Sequence, residues 1–177
     1  MNLIFLVDED FVNYKLPAMF LGFPHCTCKC DKEFGKVICQ NNPLLNSPTV
    51  SLTKETLCER YVQNPITSAI VIGGLEPFED DIDLISFIDC LRTRYKCNDP
   101  VVIYTGYTEQ ELESGWRDGR DPSSAPIYTS YWKSLLEYNN IIVKFGRFIP
   151  DMSKRYDEVL GVKLASSNQY AKEYNKI

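Results

Sequence analysis

The chain has 177 residues, of which 44% are hydrophobic and 12% aromatic, and its formal net charge is −5. This size and composition predict a single globular domain over residues 1–177 and exclude a disordered chain. The acidic balance gives no basis for binding nucleic acid or an anionic membrane surface, and no apolar run approaches the roughly 18 to 20 residues that span a bilayer.

The N-terminus lacks the pattern of a secretion signal. No basic region precedes Leu3-Ile4, and the acidic run Asp8-Glu9-Asp10 follows closely. We therefore expect a cytoplasmic protein whose seven cysteines serve as thiols or metal ligands rather than as disulfides. The single histidine, His25, excludes zinc sites built on two or three histidines, and we expect it to be a loop residue.

Short apolar strands alternate with amphipathic helices along the chain. Strands are predicted at Ala18–Phe23, Ala69–Ile72, Val101–Tyr104, Ile141–Phe145 and, as the last one, Val159–Leu164. Helices are predicted at Thr53–Val62 with Thr53 as the N-cap, at Asp80–Tyr95, and from Thr108 through Leu112. This alternation indicates an α/β fold of βαβ units, in which ligands bind at the carboxyl ends of parallel strands.

The segment from Ser114 to Pro126 interrupts the alternation. It is rich in glycine, proline, serine and charged residues and has no apolar periodicity. We predict a solvent-exposed loop here. A lid and a contact with a partner protein are the alternatives for a loop of this length.

Three cysteines, Cys26, Cys30 and Cys39, lie in the loop that directly follows the strand Ala18–Phe23. Cys28 lies in the same loop, so the spacing alone does not decide which three sulfurs would bind. The pattern lacks the two C-x-x-C pairs of a zinc ribbon. Closely spaced thiolates are the ligands of iron–sulfur clusters, and a set of three leaves one iron open to a small molecule. The cysteine pattern alone is therefore compatible with a cluster site and with a loop of ordinary thiols.

The remaining cysteines, Cys58, Cys90 and Cys97, form no further pair of metal-ligand spacing. Cys58 and Cys90 fall within predicted helices, and Cys97 lies near a turn. We expect these three side chains to act as small, partly buried apolar groups.

Five segments in chain order resemble the activating protein of anaerobic (class III) ribonucleotide reductase, a small radical S-adenosylmethionine enzyme. The loop from Phe20 to Asn41, which ends in Cys39-Gln40-Asn41, resembles that family's first strand and cluster loop. The other four segments are Gly73-Gly74-Leu75-Glu76-Pro77-Phe78, Tyr104-Thr105-Gly106-Tyr107 with the helix after it, Lys144-Phe145-Gly146-Arg147-Phe148, and Ser166-Ser167-Asn168-Gln169. The resemblance covers most of the chain from Phe20 to Gln169.

The chain departs from the family pattern at two places. Eight residues separate Cys30 from Cys39 where the family has two, and Leu75 is an extra residue in the Gly-Gly-acid-Pro motif. Each doubling of a loop costs only about 0.6 kcal/mol, so we expect the added residues to bulge outwards while the three sulfurs converge.

The resemblance implies an incomplete parallel (β/α) barrel of about six strands, of the radical S-adenosylmethionine type. It implies that Cys26, Cys30 and Cys39 bind a [4Fe–4S] cluster. It also implies contacts to S-adenosylmethionine from a second set of residues: Gly73, Gly74, Glu76, Thr105, Ser167, Asn168 and Gln169. The glycines would let the cofactor approach the backbone, Glu76 would accept from its ammonium group, and Thr105 would donate to its ribose or carboxylate.

The function implied is that of an activase, which cleaves S-adenosylmethionine and generates a glycyl radical on anaerobic ribonucleoside-triphosphate reductase. The implied partners are the large chain of that reductase and a one-electron donor such as flavodoxin. The loop from Ser114 to Pro126 follows the strand that ends at Thr105-Gly106, and from this position we expect it to contact the reductase. Two alternatives stay open: another radical S-adenosylmethionine enzyme, and a non-catalytic iron–sulfur protein for electron transfer or cluster assembly.

Several of these residues also have a simpler interpretation. Gly73-Gly74 is compatible with a plain strand-to-helix turn, and Asn168-Gln169 with a cap on the last turn. We expect Lys144 and Arg147 to be exposed charges at a strand end, and Tyr104 and Tyr107 to be packing residues.

Overall fold

The computed structural model describes residues 1–115 and 121–176. In chain order, the strands are β1 (Asn2–Leu3), β2 (Phe5–Asp10), β3 (Ala18–Phe23), β4 (Val50–Ser51), β5 (Ala69–Gly74), β6 (Val101–Tyr104), β7 (Ile141–Phe145), β8 (Arg155–Asp157), β9 (Val162–Leu164) and β10 (Tyr170–Tyr174). The helices are α1 (Lys29–Phe34), α2 (Lys54–Val62), α3 (Asp81–Asp89), α4 (Glu109–Ser114) and α5 (Ala125–Leu135). A π-helical turn, Cys90–Arg94, continues α3.

One six-stranded sheet organises the fold, with the strand order β10-β7-β6-β5-β3-β2. The four central strands, β3, β5, β6 and β7, run parallel, while β2 and β10 pair antiparallel at the two edges. The predicted α/β class is therefore confirmed. The expectation of a parallel sheet is correct for the four central strands and wrong for the edges.

The central strands form because their apolar runs are buried on both faces. On one face they pack against α2, α3 and α5, through side chains such as Leu57, Phe87 and Leu135. On the other face Val71 and Val102 pack with Tyr14 and Leu160. Burial on both faces explains why these strands read as continuous hydrophobic stretches in the sequence.

The predicted helices are confirmed, with small shifts at their ends. The Thr53 hydroxyl caps α2 by accepting from the backbone N–H of Thr56. Thr108 and Glu111 form a reciprocal capping box at the start of α4. Cys58 and Cys90 are buried in the core and Cys97 packs against it, as predicted. No helix within residues 1–115 and 121–176 has the length and apolarity needed to cross a membrane.

Three predictions are wrong in part. Within the predicted strand Val159–Leu164, only Val162–Leu164 is a strand, and it pairs with β8 outside the main sheet. The last strand is β10, an edge strand that sequence reasoning missed. The predicted loop from Ser114 to Pro126 contains a 3-10 turn at Pro122–Ser124 and the start of α5, and its residues 116–120 lie outside the described residues.

Candidate functional site

The cysteine loop begins beside the end of β5. The chain segments that follow β3 and β5 stay paired, because Leu75 N donates to Phe23 O at 3.0 Å and Glu76 N donates to His25 O at 2.8 Å. The extra residue Leu75 is therefore accommodated within this extension of the strand pairing. Cys26 comes directly after His25 and so lies close to Glu76, whose negative charge helps to raise the pKa of the Cys26 thiol.

The loop brings Cys26, Cys30 and Cys39 together. The Cys30 thiol donates a hydrogen bond to the sulfur of Cys39, which lowers the pKa of Cys39 to about 6 and raises that of Cys30. Burial is the main reason that the pKa of Cys26 rises to about 12, and the negative charge of Cys39 adds to it. Among these three thiols, the pKa of Cys39 is lowered, while the pKa values of Cys26 and Cys30 are raised.

Cys28 has a different position from the other three. It precedes α1 with a left-handed backbone (φ 55°), and its backbone N–H donates to the Cys26 sulfur at 3.3 Å. Its thiol lies 3.9 Å from the carbonyl oxygen of Cys26. Cys28 therefore also lies against Cys26, and the choice of Cys26, Cys30 and Cys39 as the sulfur set stays a prediction.

Asp31 closes the long segment between Cys30 and Cys39. Its Oδ1 accepts from Ile38 N at 2.8 Å and from Cys39 N at 3.0 Å, while its Oδ2 accepts from Asn42 Nδ2 at 2.6 Å. These bonds, from Ile38 first, lower the pKa of the carboxyl group. Sequence reasoning missed Asp31, because its partners lie seven, eight and eleven positions further along the chain.

The far end of the loop is fastened to β5. Asn41 Nδ2 donates to the Gly74 carbonyl oxygen at 2.7 Å. Gly74 has φ +85°, and a Cβ added to it would lie 2.9 Å from the Gly22 Cα and 3.0 Å from Phe23 N on β3. The glycine is therefore required by the close approach of two strands. A Cβ on Gly73 would lie 3.2 Å from the Phe20 ring, so packing explains that glycine as well.

Glu76 is a buried carboxylate at the same edge of the sheet. Its Oε1 accepts from Thr105 Oγ1 at 2.7 Å and from Phe78 N at 3.2 Å, and its Oε2 accepts from Gly106 N at 2.8 Å. Burial raises its pKa to about 7 in spite of these bonds. The hydroxyl proton of Thr105 is directed at Glu76, so Thr105 orients the carboxylate instead of offering a free donor to a ligand.

Cys30 and Glu76 face each other across Gly106. A Cβ added to Gly106 would lie 3.5 Å from Glu76 Oε2 and 3.9 Å from the Cys30 sulfur. A small cleft between them is lined by Cys26, Thr27, Lys29, Cys30, Glu76, Gly106, Tyr107 and Arg147. The absence of a side chain at Gly106 keeps this space between thiol and carboxylate open.

Lys144 is buried, contrary to the expectation of an exposed charge. It lies near the end of β7, where β6 and β10 flank it, and only 7% of its surface is exposed. Its Nζ donates to the Gly146 carbonyl oxygen at 2.9 Å. Burial lowers its pKa to about 8, while the negative charges of Glu76 and Cys30 oppose that shift. The site therefore contains a cationic group beside its carboxylate.

Arg147 is also largely buried and holds the wall of the cleft. Its guanidinium binds Glu111 on α4 at 2.6 and 2.9 Å, Glu33 on α1 at 2.9 and 3.0 Å, and the Gly106 carbonyl oxygen at 2.7 Å. Lys29 forms a second ion pair with Glu111. Burial alone would raise the pKa of Glu111, but the bonds from Arg147 and Lys29 lower it to about 2. This network fixes α1 over the strand ends.

The turn Ser166–Gln169 packs against the segment that follows β7. Gln169 Nε2 donates to Gly146 O at 3.1 Å, and Asn168 Nδ2 donates to Arg147 O at 2.8 Å. Asn168 Oδ1 is buried and has no hydrogen-bond partner among the described residues. Ser167 is partly exposed beside it. The turn therefore offers an unused acceptor at the edge where the other four segments meet.

The candidate donor set consists of thiols, the ligand type of iron–sulfur clusters. Among residues 1–115 and 121–176, no three histidine, cysteine or carboxylate side chains are arranged to hold one ion. A cluster does not need its ligands to converge on one point, because each thiolate binds a different iron. Three neighbouring soft thiols, one with its pKa lowered to about 6, fit that requirement.

Comparison with known proteins identifies no relative of this chain. No family model, no curated protein and no solved structure matches this chain.

Proposed function

We propose that this chain is a radical S-adenosylmethionine activase that generates a glycyl radical on anaerobic ribonucleoside-triphosphate reductase. The observation that carries the proposal is the meeting of five segments at the carboxyl edge of β3, β5, β6 and β7. These segments are distant in sequence, and each contains a motif that resembles the same family. Ligand sites of parallel sheets lie at this edge.

In this proposal Cys26, Cys30 and Cys39 hold a [4Fe–4S] cluster. When bound, the cluster supplies one electron that cleaves the sulfonium of S-adenosylmethionine to methionine and a 5′-deoxyadenosyl radical, which takes a hydrogen atom from a glycine Cα. Three thiolates are fewer than the four that saturate such a cluster, which leaves room for the cofactor. The ionised sulfur of Cys39 is the first ligand available at neutral pH.

The carboxylate of Glu76 accepts from the ammonium group of the cofactor, a charge-assisted contact. Thr105 and the N–H of Gly106 hold that carboxylate in one orientation. Gly73 and Gly74 contribute backbone at the same strand end, with the Gly74 carbonyl oxygen already bonded to Asn41. Lys144 adds a positive charge near Glu76 that favours an anionic group, and the cofactor carboxylate is one.

The adenosine end of the cofactor is assigned to Ser167, Asn168 and Gln169. The buried Oδ1 of Asn168 supports this assignment, since a buried acceptor without a partner is costly unless a ligand satisfies it. Gln169 supports the turn by binding the Gly146 carbonyl oxygen. The fold is proposed to act as an incomplete barrel, whose open side admits the glycine loop of the reductase.

The proposal is tested by anaerobic reconstitution with iron and sulfide, followed by reduction with dithionite or flavodoxin. The protein should then convert S-adenosylmethionine to 5′-deoxyadenosine and methionine, and the reductase chain should acquire a glycyl radical visible by electron paramagnetic resonance. Cleavage without radical transfer to the reductase would favour another radical enzyme. An intact cluster that never yields 5′-deoxyadenosine would favour the electron-transfer alternative.

A further inference from the structure

The segment between Cys30 and Cys39 bulges away from the site while its two ends stay together. All six residues from Lys32 to Val37 are exposed. A Cβ added to Gly35, at the end of α1, would meet no atom within 4 Å. Nevertheless, the thiols of Cys30 and Cys39 lie close enough to shift each other's pKa. Some contact must therefore replace the short covalent connection that two intervening residues would provide.

We propose that Asp31 is the positioning residue that closes this loop and sets Cys39 beside Cys30. This inference rests on the proposed function for its consequence, which is cluster binding, but the placement itself concerns only the thiols. Asp31 binds Ile38 N, Cys39 N and Asn42 Nδ2, so one carboxylate fixes the backbone on both sides of the third cysteine.

The geometry singles out Asp31 from the other charged residues of the segment. Lys29 and Glu33 bind Arg147 or Glu111 and so attach α1 to the wall of the cleft. Asp31, by contrast, joins the start of the segment to its end, and a carboxylate that accepts from N–H groups forms stronger bonds than a neutral acceptor.

The direct test replaces Asp31 by asparagine, which keeps the size of the side chain and removes its charge. Asp31→Asn should lower the affinity of the reconstituted protein for its cluster by about tenfold, read as faster loss of iron to a chelator. Lys36→Gln is the matched control, because it removes a charge from the same exposed segment without touching Asp31, and it should behave as the unaltered protein.

A second variant separates positioning from a general effect on folding. Deletion of residues 32–37 leaves Cys30-Asp31-Ile38-Cys39, in which two residues separate the cysteines. In this background the chain connects the thiols directly, so adding Asp31→Asn should change iron loss by less than about twofold. An equal loss in both backgrounds would overturn the inference.

The placement of the thiols is also measured without a cluster. A bifunctional arsenical that requires two neighbouring thiols should bind the metal-free protein, and Asp31→Asn should weaken that binding about tenfold while Lys36→Gln does not. If arsenical binding differs among the three proteins in this way but the unaltered protein takes up no cluster, the positioning role is supported and the proposed function fails. Equal arsenical binding and equal cluster stability in Asp31→Asn would overturn the inference.

Discussion

The hydroxyl of Thr105 donates a 2.7 Å hydrogen bond to Oε1 of Glu76, and both side chains are buried. The two residues come from the ends of neighbouring parallel strands, β6 and β5. Thr105 Oγ1 also accepts from the backbone N–H of Tyr107 at 3.0 Å, which fixes the direction of its own proton. The contact therefore sets the orientation of the carboxylate before any ligand is present.

Replacing Thr105 by valine should destabilise the protein by about 1 to 3 kcal/mol, because Glu76 loses a buried donor and Tyr107 N loses its acceptor. Thr105→Ser keeps the hydroxyl and should retain most of the stability. Urea unfolding at about pH 8, where Glu76 is ionised, measures the difference. Equal stability of the two variants would contradict the role assigned to this hydroxyl.

The sulfur assignment predicts a clear division among the seven cysteines. Alanine at Cys26, Cys30 or Cys39 should abolish the visible absorbance of a reconstituted cluster of about four irons per chain. Alanine at the core positions Cys58, Cys90 or Cys97 should retain it. Cys28→Ala is the decisive variant: if it removed the absorbance and Cys30→Ala did not, the assignment would be wrong.

Gly74→Ala should cost more stability than an ordinary glycine substitution at positive φ. The new Cβ would lie 2.9 Å from the Gly22 Cα, a backbone atom that cannot move aside cheaply. We expect a loss of about 2 to 4 kcal/mol. Gly35→Ala is the control, because its φ is also positive (+64°) but its surroundings are open, and it should cost about 1 kcal/mol.

Denaturant unfolding of the metal-free protein separates these two effects. Equal losses in the two variants would mean that backbone strain alone, and not the approach of β3 to β5, requires glycine at position 74. The family resemblance implies that Gly74 lets the cofactor approach the backbone, in which case a side chain there would act first on cofactor binding. The structure predicts that the fold itself is affected first.

Glu111 makes stability depend on acid pH. Its pKa in the folded protein is about 2, below the unfolded value of 4.5, so its ionised form stabilises the fold above about pH 4.5. This contribution is lost as the pH falls from about 4.5 toward about 2. Glu111→Gln should therefore cost about 1 to 2 kcal/mol at neutral pH, after allowance for solvent screening, and progressively less in acid.

Urea unfolding across this pH range checks the dependence. Glu113→Gln is the matched control on the same helix, because Glu113 is exposed and has no bond to Arg147. Its effect on the free energy of unfolding should be small. A Glu111→Gln penalty that stays constant down to about pH 3 would contradict the proposed linkage.

The central strands could be predicted from the sequence because burial on both faces leaves long apolar runs. The edge strands β2 and β10 could not, since Phe5–Asp10 ends in three acidic residues and Tyr170–Tyr174 contains two charges. Such segments become strands only when a neighbour supplies the hydrogen bonds. Helix α5 was missed because it begins inside a segment whose composition is typical of a loop, with Pro126 in its first turn.

The candidate site was predictable where it follows directly from strand ends. The cysteine loop, Glu76 and Thr105 were placed correctly at the carboxyl edge because β3, β5 and β6 were. The burial of Lys144 was not foreseen, although its position inside the run Ile141–Phe145, in a strand with both faces buried, was a usable signal. The role of Asp31 depends on contacts with residues seven, eight and eleven positions away, which no local pattern reveals.

The exposed segment from Lys32 to Val37 gives the protein an attachment point close to its thiols. Asp31 binds the backbone of Ile38 and Cys39 and so holds the two ends of this segment together. A short peptide tag inserted after Gly35 should therefore leave Cys30 and Cys39 in place. A fluorophore carried there would sit within a few residues of whatever the thiols bind and outside the cleft itself. The exposed segment is thus a suitable position for a fluorophore that reports when the thiols have bound a ligand.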